Sequence, residues 1–228
     1  TVGQGKSVLD NHKMQIYLLY QTDWLATGSG YDDKIGALWV NPSTCKPVGS
    51  TIGHEIGHSF QYQVSADKLF TGEVTPIDRA DGSQLVPAGF RYGFGENGAG
   101  GCAYWEQCAQ WQSFQDYPNE CFDQDAHYAV WLKNHHRHFN HEFMRYASYW
   151  FQYWFTEKHG IESYARIWKE SKYPEDPLQT YMRIYCNNSL DALYKDLYEY
   201  SAHCADYDFK AVHQYKKEAA IHYSAKLY

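Results

Sequence analysis

The sequence lacks the features that mark three common classes of protein. No stretch approaches the roughly 18 consecutive apolar residues of a membrane-spanning helix. Basic residues are in the minority, with 20 Lys and Arg against 27 Asp and Glu, and the formal net charge of −7 argues against a nucleic-acid partner. None of the six Cys belongs to a Cys-x-x-Cys pair, so we do not expect a zinc site built from Cys alone.

The chain is instead rich in aromatic residues, with 22 Tyr, 11 Phe and 8 Trp among 228 residues. Since 44% of all residues are apolar, the sequence can supply the core of one large domain, and we expect most of the rings to be packed there. The same rings can also line a groove for sugars or peptides. We therefore predict a single domain over residues 1–228 and leave its oligomeric state open.

Several weak signals concern the compartment of the protein. The even number of Cys favours an oxidising location, and Asn187-Asn188-Ser189 matches a glycosylation sequon. Cys102 and Cys121 flank a predicted helix and can be bridged, whereas Cys108 lies inside that helix and is expected to be a buried thiol. The opening residues 1–6 read like a cut within a longer chain. We expect a secreted, periplasmic or cell-surface domain excised from a larger protein.

Hydrophobic patterning predicts an α+β fold with two lobes. The N-terminal lobe, about residues 1–120, is mixed, and the C-terminal lobe, about residues 121–228, is almost wholly helical. The mixed lobe is predicted to contain strands at 13–21 and 36–40, a loop at 28–33, helices at 51–64 and 103–114, and irregular chain over 65–101.

Helix boundaries in the C-terminal lobe follow from capping residues. An aromatic helix is predicted over 142–158 and is stopped by Gly160. Asp176 followed by Pro at the first helical position predicts the start of another helix. Asn188 or Asp191 is expected to cap the next one.

The strongest chemical signal is the segment Gly53-His54-Glu55-Ile56-Gly57-His58. Two His four positions apart on a helix project from the same face, so their ring nitrogens can bind one zinc ion. Glu55 follows the first of them, and from there a carboxylate can reach a zinc-bound water and act as general base. The residues around the motif are small, uncharged or apolar, as a buried metal-binding helix requires.

This segment resembles the active-site helix of the zincin metallopeptidases. Metzincins extend the motif with a Gly and a third His, but Gln61 and Val64 occupy those positions here. Gluzincins take the third ligand from a Glu on a later helix, and Glu106 with Ala109 matches their Glu-x-x-Ala pattern. The other candidates for the third ligand are Glu96, Glu120, Asp123 and a later group of His.

The resemblance also implies a fold and a substrate-binding element. It implies a zincin-like domain in which a small N-terminal sheet and the metal helix precede a mostly helical lobe. Gluzincins place an edge strand before the metal helix, and an extended peptide can pair with such a strand. Residues 36–40 sit at a suitable position, although an ordinary core strand is an equal alternative. The whole chain resembles bacterial secreted proteins with a zincin-like domain, in which peptidase activity is inferred.

A peptidase also needs a donor that stabilises the oxyanion of the tetrahedral intermediate. The candidates are His141, Arg145, Tyr146 and Tyr153, of which we prefer the adjacent Arg145 and Tyr146. A dense group of His lies just before them, at His135, His136, His138 and His141 with Arg137 among them. We expect this group to be a polar helix start beside the cleft rather than a second metal site.

We therefore expect a zinc-dependent metallopeptidase that hydrolyses peptide bonds of proteins or glycoproteins. His54, His58 and Glu106 are the predicted ligands of one zinc ion, and Glu55 is the predicted base. The alternative is a carbohydrate- or glycoprotein-binding module that keeps this fold without proteolysis. A purely structural zinc site is less favoured, because such sites usually have four protein ligands.

Overall fold

The computed structural model describes residues 4–32, 34–90, 103–123 and 127–215. It confirms the α+β class, with a small N-terminal sheet followed by a mostly helical lobe. None of the described helices is both long enough and apolar enough to cross a membrane. The strands are β1 Gln15–Leu18, β2 Ala26–Tyr31, β3 Ile35–Val40, β4 Ile77–Asp78 and β5 Gln84–Leu85. The helices are α1 Ser50–Phe70, α2 Ala103–Asp116, α3 His127–Asn134, α4 Trp150–His159, α5 Glu162–Glu170, α6 Pro177–Tyr185 and α7 Leu190–Asp206.

Strand β3 lies at the centre of the N-terminal sheet, whose order is β1-β3-β2. β1 pairs with it in parallel and β2 antiparallel, so that Leu38 faces Ile16 on one side and Gly28 on the other. Five of the six residues of β3 are buried. The prediction of an edge strand at 36–40 is therefore wrong, and the core-strand alternative is confirmed. The sheet edge beside helix α1 is formed by β2.

Strand β2 replaces the loop predicted at 28–33, since residues 28–31 are part of it. Its glycines are there because α1 lies against the strand. A Cβ on Gly28 would lie 2.1 Å from the Glu55 carbonyl oxygen, and one on Gly30 would lie 1.7 Å from the Tyr62 ring. Composition alone treats paired glycines as a loop signal, whereas here they allow a helix and a strand to touch.

Helix α1 is longer than the predicted 51–64 and continues to Phe70. After Gly57 no Gly or Pro occurs before Gly72, which has a φ of 71° and follows the helix end. Its buried residues are mostly polar or small rather than an apolar stripe, namely His54, Gly57, Ser59, Gln61, Gln63, Ala66 and Lys68. The helix thus turns a hydrogen-bonding face toward the sheet and α2.

The C-terminal lobe is built around aromatic side chains. In α4 every residue from Trp150 to Thr156 is buried, which agrees with the expectation that most of the rings are core. The helix predicted over 142–158 is interrupted, however. A short 3-10 turn covers Glu142–Met144, and α4 begins only at Trp150. The His141 ring caps that turn by accepting a hydrogen bond from the Phe143 amide at 3.1 Å.

Capping decides where α6 and α7 begin. Asp176 caps α6 in a full capping box with Gln179, as predicted. The cap of α7 is Ser189, not Asn188 or Asp191. Asn188 has a φ of 60°, whereas the cap position needs the extended backbone that Ser189 adopts.

Two predictions concern cysteines. Cys108 is fully buried inside α2, as expected, and Gln152 Nε2 lies 3.4 Å from its sulfur. Cys121 is also buried. Cys102, its predicted disulfide partner, lies outside the described residues.

Candidate metal centre

His54, His58 and Glu106 meet at one point between α1 and α2. Nε2 of His54 and Nε2 of His58 each lie 3.0 Å from Oε2 of Glu106, and the two nitrogens lie 3.0 Å from each other. The three side chains are between 9% and 14% exposed. The His pair comes from successive turns of α1, and the carboxylate comes from the first turn of α2.

Small residues let the two helices approach closely enough for this contact. A Cβ on Gly57 would lie 3.0 Å from the Ala109 Cα, and one on Gly53 would lie 3.4 Å from Ser113. Ala109 follows Glu106 by three positions, in the pattern that the sequence singled out. The distance between the helices therefore sets the distance between the carboxylate and the two imidazoles.

Two buried amides hold the far side of the imidazole rings. Oε1 of Gln61 lies 2.9 Å from Nδ1 of His58, and Oε1 of Gln110 lies 3.0 Å from Nδ1 of His54. A carbonyl oxygen accepts, so the neutral His58 ring carries its proton on Nδ1 and turns its Nε2 lone pair toward Glu106. The Gln110 oxygen favours the same tautomer for His54. This arrangement presents two nitrogen atoms and one oxygen atom to the same point.

Three acceptor atoms at 3.0 Å repel one another unless a cation lies among them. Burial alone would raise the pKa of the Glu106 carboxyl, but hydrogen bonds and charge from His54 and His58 hold it well below its ordinary value. Burial alone would lower the pKa of His58, but its bond to Glu106 leaves it raised. The site thus favours a cation, which can be a proton or a metal ion.

The donor set fits zinc. Imidazole nitrogen and carboxylate oxygen are its common ligands, and two His with one Glu leave a fourth position for water or substrate. Within the described ranges, this is the one group of three or more His, Cys, Asp or Glu whose ligand atoms converge.

The competing ligands are placed elsewhere or lie outside the described residues. Glu96 is outside them. Glu120 accepts a hydrogen bond from Ser50 at the start of α1, four residues before the first His. Asp123 is not part of the converging group.

A cavity of about 390 Å³ opens beside the three converging atoms. Glu55, His58 and Glu106 line it on one side, and Tyr146 lines it as well. The remaining lining comes from the β2 edge, from Tyr62 of α1 and from Trp105 of α2, the β2 part being Ala26, Thr27, Gly28 and Ser29. The predicted base therefore shares a cavity with His58 and Glu106, two of the three predicted ligands, and with an extended strand.

The four predicted oxyanion donors differ in their position relative to the cavity. Tyr146 is in the cavity wall, with its ring centre 5.7 Å from that of His54. Arg145 is not part of that wall; its guanidinium stacks 5.0 Å from the Tyr146 ring and pairs with Glu142 at 2.8 Å. Tyr153 is buried in the aromatic core, and His141 caps the 3-10 turn.

The group of His before these residues is largely exposed. His135, His136 and His138 lie on the surface after the end of α3. These three residues follow α3 and begin no helix, whereas His141, the last of the group, caps the 3-10 turn at Glu142–Met144. Within the described residues they form no converging metal-binding set.

Sequence reasoning missed His127, the first residue of α3. Its ring stacks on Tyr146 with 5.0 Å between centres. Its pKa is lowered, first by burial and then by the charge of His54, and the charge of Glu106 acts in the opposite direction. No motif marks this position, because α3 joins the site only through the tertiary fold.

Among known proteins, the chain matches the model of one protein family. No curated protein and no solved structure matches the chain. The model of a family described as a family of unknown function, DUF6055, matches residues 2–228. Since the match covers nearly the whole chain, the chain belongs to the DUF6055 family.

Proposed function

We propose that this protein is a zinc-dependent metallopeptidase of the zincin type. The convergence of two Nε2 atoms and one carboxylate oxygen, beside a cavity that also holds Glu55, carries the proposal. When bound at this point, zinc supplies Lewis acidity toward a carbonyl substrate and water. His54, His58 and Glu106 would hold the ion, and no Cys is required.

The described side chains suggest how the chain itself takes part. Glu55 is the proposed general base, taking a proton from the attacking water and passing it to the leaving amine. Tyr146 is the proposed oxyanion donor, because it reaches the cavity. Arg145 is assigned an indirect part, holding the Tyr146 ring from outside the cavity.

The substrate-binding element in this proposal is β2. It is one of the two outer strands of the β1-β3-β2 sheet, and four of its residues line the cavity. An extended peptide would add by main-chain hydrogen bonds to the edge of β2 that pairs with no strand in the described part of the chain. The proposed substrates are therefore proteins or glycoproteins in an extended conformation, outside the cell or at its surface.

A second candidate function is carbohydrate or glycoprotein binding without cleavage. Three aromatic rings on the sheet favour it. Tyr17 stacks on Trp39 with 5.4 Å between ring centres, and Tyr31 lies 5.9 Å from Tyr17. Tyr31 is half exposed, and flat aromatic surfaces of this kind suit sugar rings.

Elemental analysis and a cleavage screen test the proposal together. The native protein, Glu106→Ala and Glu55→Gln are measured for bound metal, and the native protein and Glu55→Gln are screened on peptides and glycoproteins. We expect one zinc per chain in the native protein and in Glu55→Gln, and none in Glu106→Ala. Cleavage should disappear in Glu55→Gln. Zinc retained by Glu106→Ala would contradict the ligand assignment, and a native protein that binds glycans but cleaves nothing would favour the second candidate.

A further inference from the structure

Gln61 connects the two helices of the metal centre through both ends of its amide. Its Oε1 lies 2.9 Å from Nδ1 of His58, and its Nε2 donates to the main-chain carbonyl of Trp105 at 2.9 Å. Trp105 immediately precedes Glu106. One side chain, only 3% exposed, thus contacts a ligand on α1 and the backbone next to a ligand on α2.

The direction of these two hydrogen bonds follows from elementary chemistry. A main-chain carbonyl can only accept, so the NH2 group of Gln61 must face Trp105. Its oxygen must then face His58, and the proton between them must belong to Nδ1. The Trp105 carbonyl therefore dictates, through Gln61, which nitrogen of His58 is free for a metal.

We propose that Gln61 is a positioning residue that fixes the tautomer of His58 and ties it to the Glu106 segment, and thereby sets the zinc affinity. The part of this proposal that concerns affinity rests on the proposed zinc site. The part that concerns the tautomer belongs to the chain alone and can be measured without metal.

Gln63 provides a matched control on the same helix. It is 4% exposed, nearly the same as Gln61, and its amide is also bonded at both ends. Its Oε1 accepts from the Gly36 amide at 2.8 Å, and its Nε2 donates to Asp67 at 2.7 Å. It reaches the sheet and not the metal centre. Replacing it should affect stability as much as replacing Gln61 without touching either His.

The first measurement is a long-range nitrogen–proton NMR spectrum of the metal-free protein at alkaline pH, where His is neutral. The spectrum reports which ring nitrogen carries the proton. We expect His58 to be protonated on Nδ1 in the native protein and in Gln63→Met, and to move toward the Nε2-protonated form in Gln61→Met. In Gln61→Glu the carboxylate still accepts from Nδ1, so the native tautomer should return. A native His58 protonated on Nε2 would overturn the proposal without any variant.

The second measurement is zinc affinity by competition with a coloured chelator. Loss of a residue that orients a ligand typically lowers affinity by about 10- to 100-fold. We expect a loss of that size in Gln61→Met, a smaller loss in Gln61→Glu and native affinity in Gln63→Met. Equal losses in Gln61→Met and Gln63→Met would show that only folding is affected and would refute the positioning role.

The two measurements separate the failure of this proposal from that of the proposed function. If the native protein takes up no zinc, the zinc site fails, while the His58 tautomer still decides whether Gln61 fixes the ring. If zinc binds but the tautomer is unchanged in Gln61→Met, Gln61 is not the positioning residue. Should Gln61→Met not fold, the native spectrum and the zinc affinity of Gln61→Glu relative to Gln63→Met decide instead. A native His58 protonated on Nε2, or equal affinities in those two variants, would overturn the proposal.

Discussion

The contact between α1 and α2 supports a prediction that compares two glycines one turn apart. A Cβ on Gly57 would lie 3.0 Å from the Ala109 Cα and 3.2 Å from its Cβ, closer than side-chain atoms normally pack. A Cβ on Gly53 would lie 3.4 Å from Ser113, which is an ordinary contact. Changing either glycine to alanine therefore adds one methyl group to α1, but the space between that methyl group and α2 is smaller at position 57 than at position 53.

The magnitudes follow from two opposing effects. Ala is favoured over Gly in a helix interior by about 0.8–1 kcal/mol. Forcing an extra methyl group into a tight contact costs about 1–3 kcal/mol. Gly53→Ala should thus stabilise the protein by up to about 1 kcal/mol. Gly57→Ala should destabilise it by about 0–2 kcal/mol, since overpacking is partly offset by helix propensity.

The assay is urea denaturation of both metal-free variants beside the native protein, followed by zinc affinity. Because Ala109 lies one turn from Glu106, Gly57→Ala should also move the carboxylate away from His58 and weaken zinc binding at the proposed site. Gly53→Ala should bind zinc as the native protein does. Equal denaturation midpoints and equal zinc affinities for the two variants would refute the inference that the helix contact controls the metal centre.

Two further predictions concern a helix cap and the pH dependence of stability. Asp176→Ala removes the bond that its carboxylate accepts from the Gln179 amide at 3.0 Å and should cost about 1 kcal/mol in thermal or urea unfolding. Asp191→Ala, at one of the two cap positions that the sequence offered for α7 and the fold does not use, should cost less. The pKa of Glu106 is lower in the folded protein than the ordinary value of 4.5. The ionised carboxylate therefore contributes its full stabilisation above about pH 4.5, and this stabilisation is lost as the pH falls toward the lower pKa of the folded state. The metal-free native protein should therefore lose stability below about pH 4.5 more steeply than Glu106→Gln, and parallel stability curves would contradict this sign.

The parts of the site that the sequence predicted depend on local spacing. His54, Glu55 and His58 are fixed relative to one another by a single helix, and helical geometry is all that the prediction needs. Glu106 required one more step, because its aromatic and small neighbours are unsuited to a solvent-facing helix. The structure brings its carboxylate within 3.0 Å of both His rings.

The parts that the sequence did not predict depend on contacts between distant segments. The glycines of β2 suggested a loop, since composition does not reveal how closely α1 packs on this strand. A Cβ on Gly28 would overlap the Glu55 carbonyl oxygen. His127 and Gln61 carry no motif of their own. In the sequence, Gln61 is notable only because it replaces the Gly of the metzincin pattern. Its two hydrogen bonds depend on how α2 packs against α1. The helix predicted over 142–158 is likewise divided into a 3-10 turn at Glu142–Met144 and α4 from Trp150, a break that the composition does not reveal.

The alternation along β2 limits how this protein can change over evolutionary time. Gly28 and Gly30 have no room for any side chain, so substitution of either glycine would be strongly disfavoured. Thr27, Ser29 and Tyr31 alternate with them and are exposed, and the first two also border the cavity. Substitutions that alter the rim of the cavity are therefore expected at Thr27 and Ser29. Side chains at these two positions can change without displacing α1 from the strand.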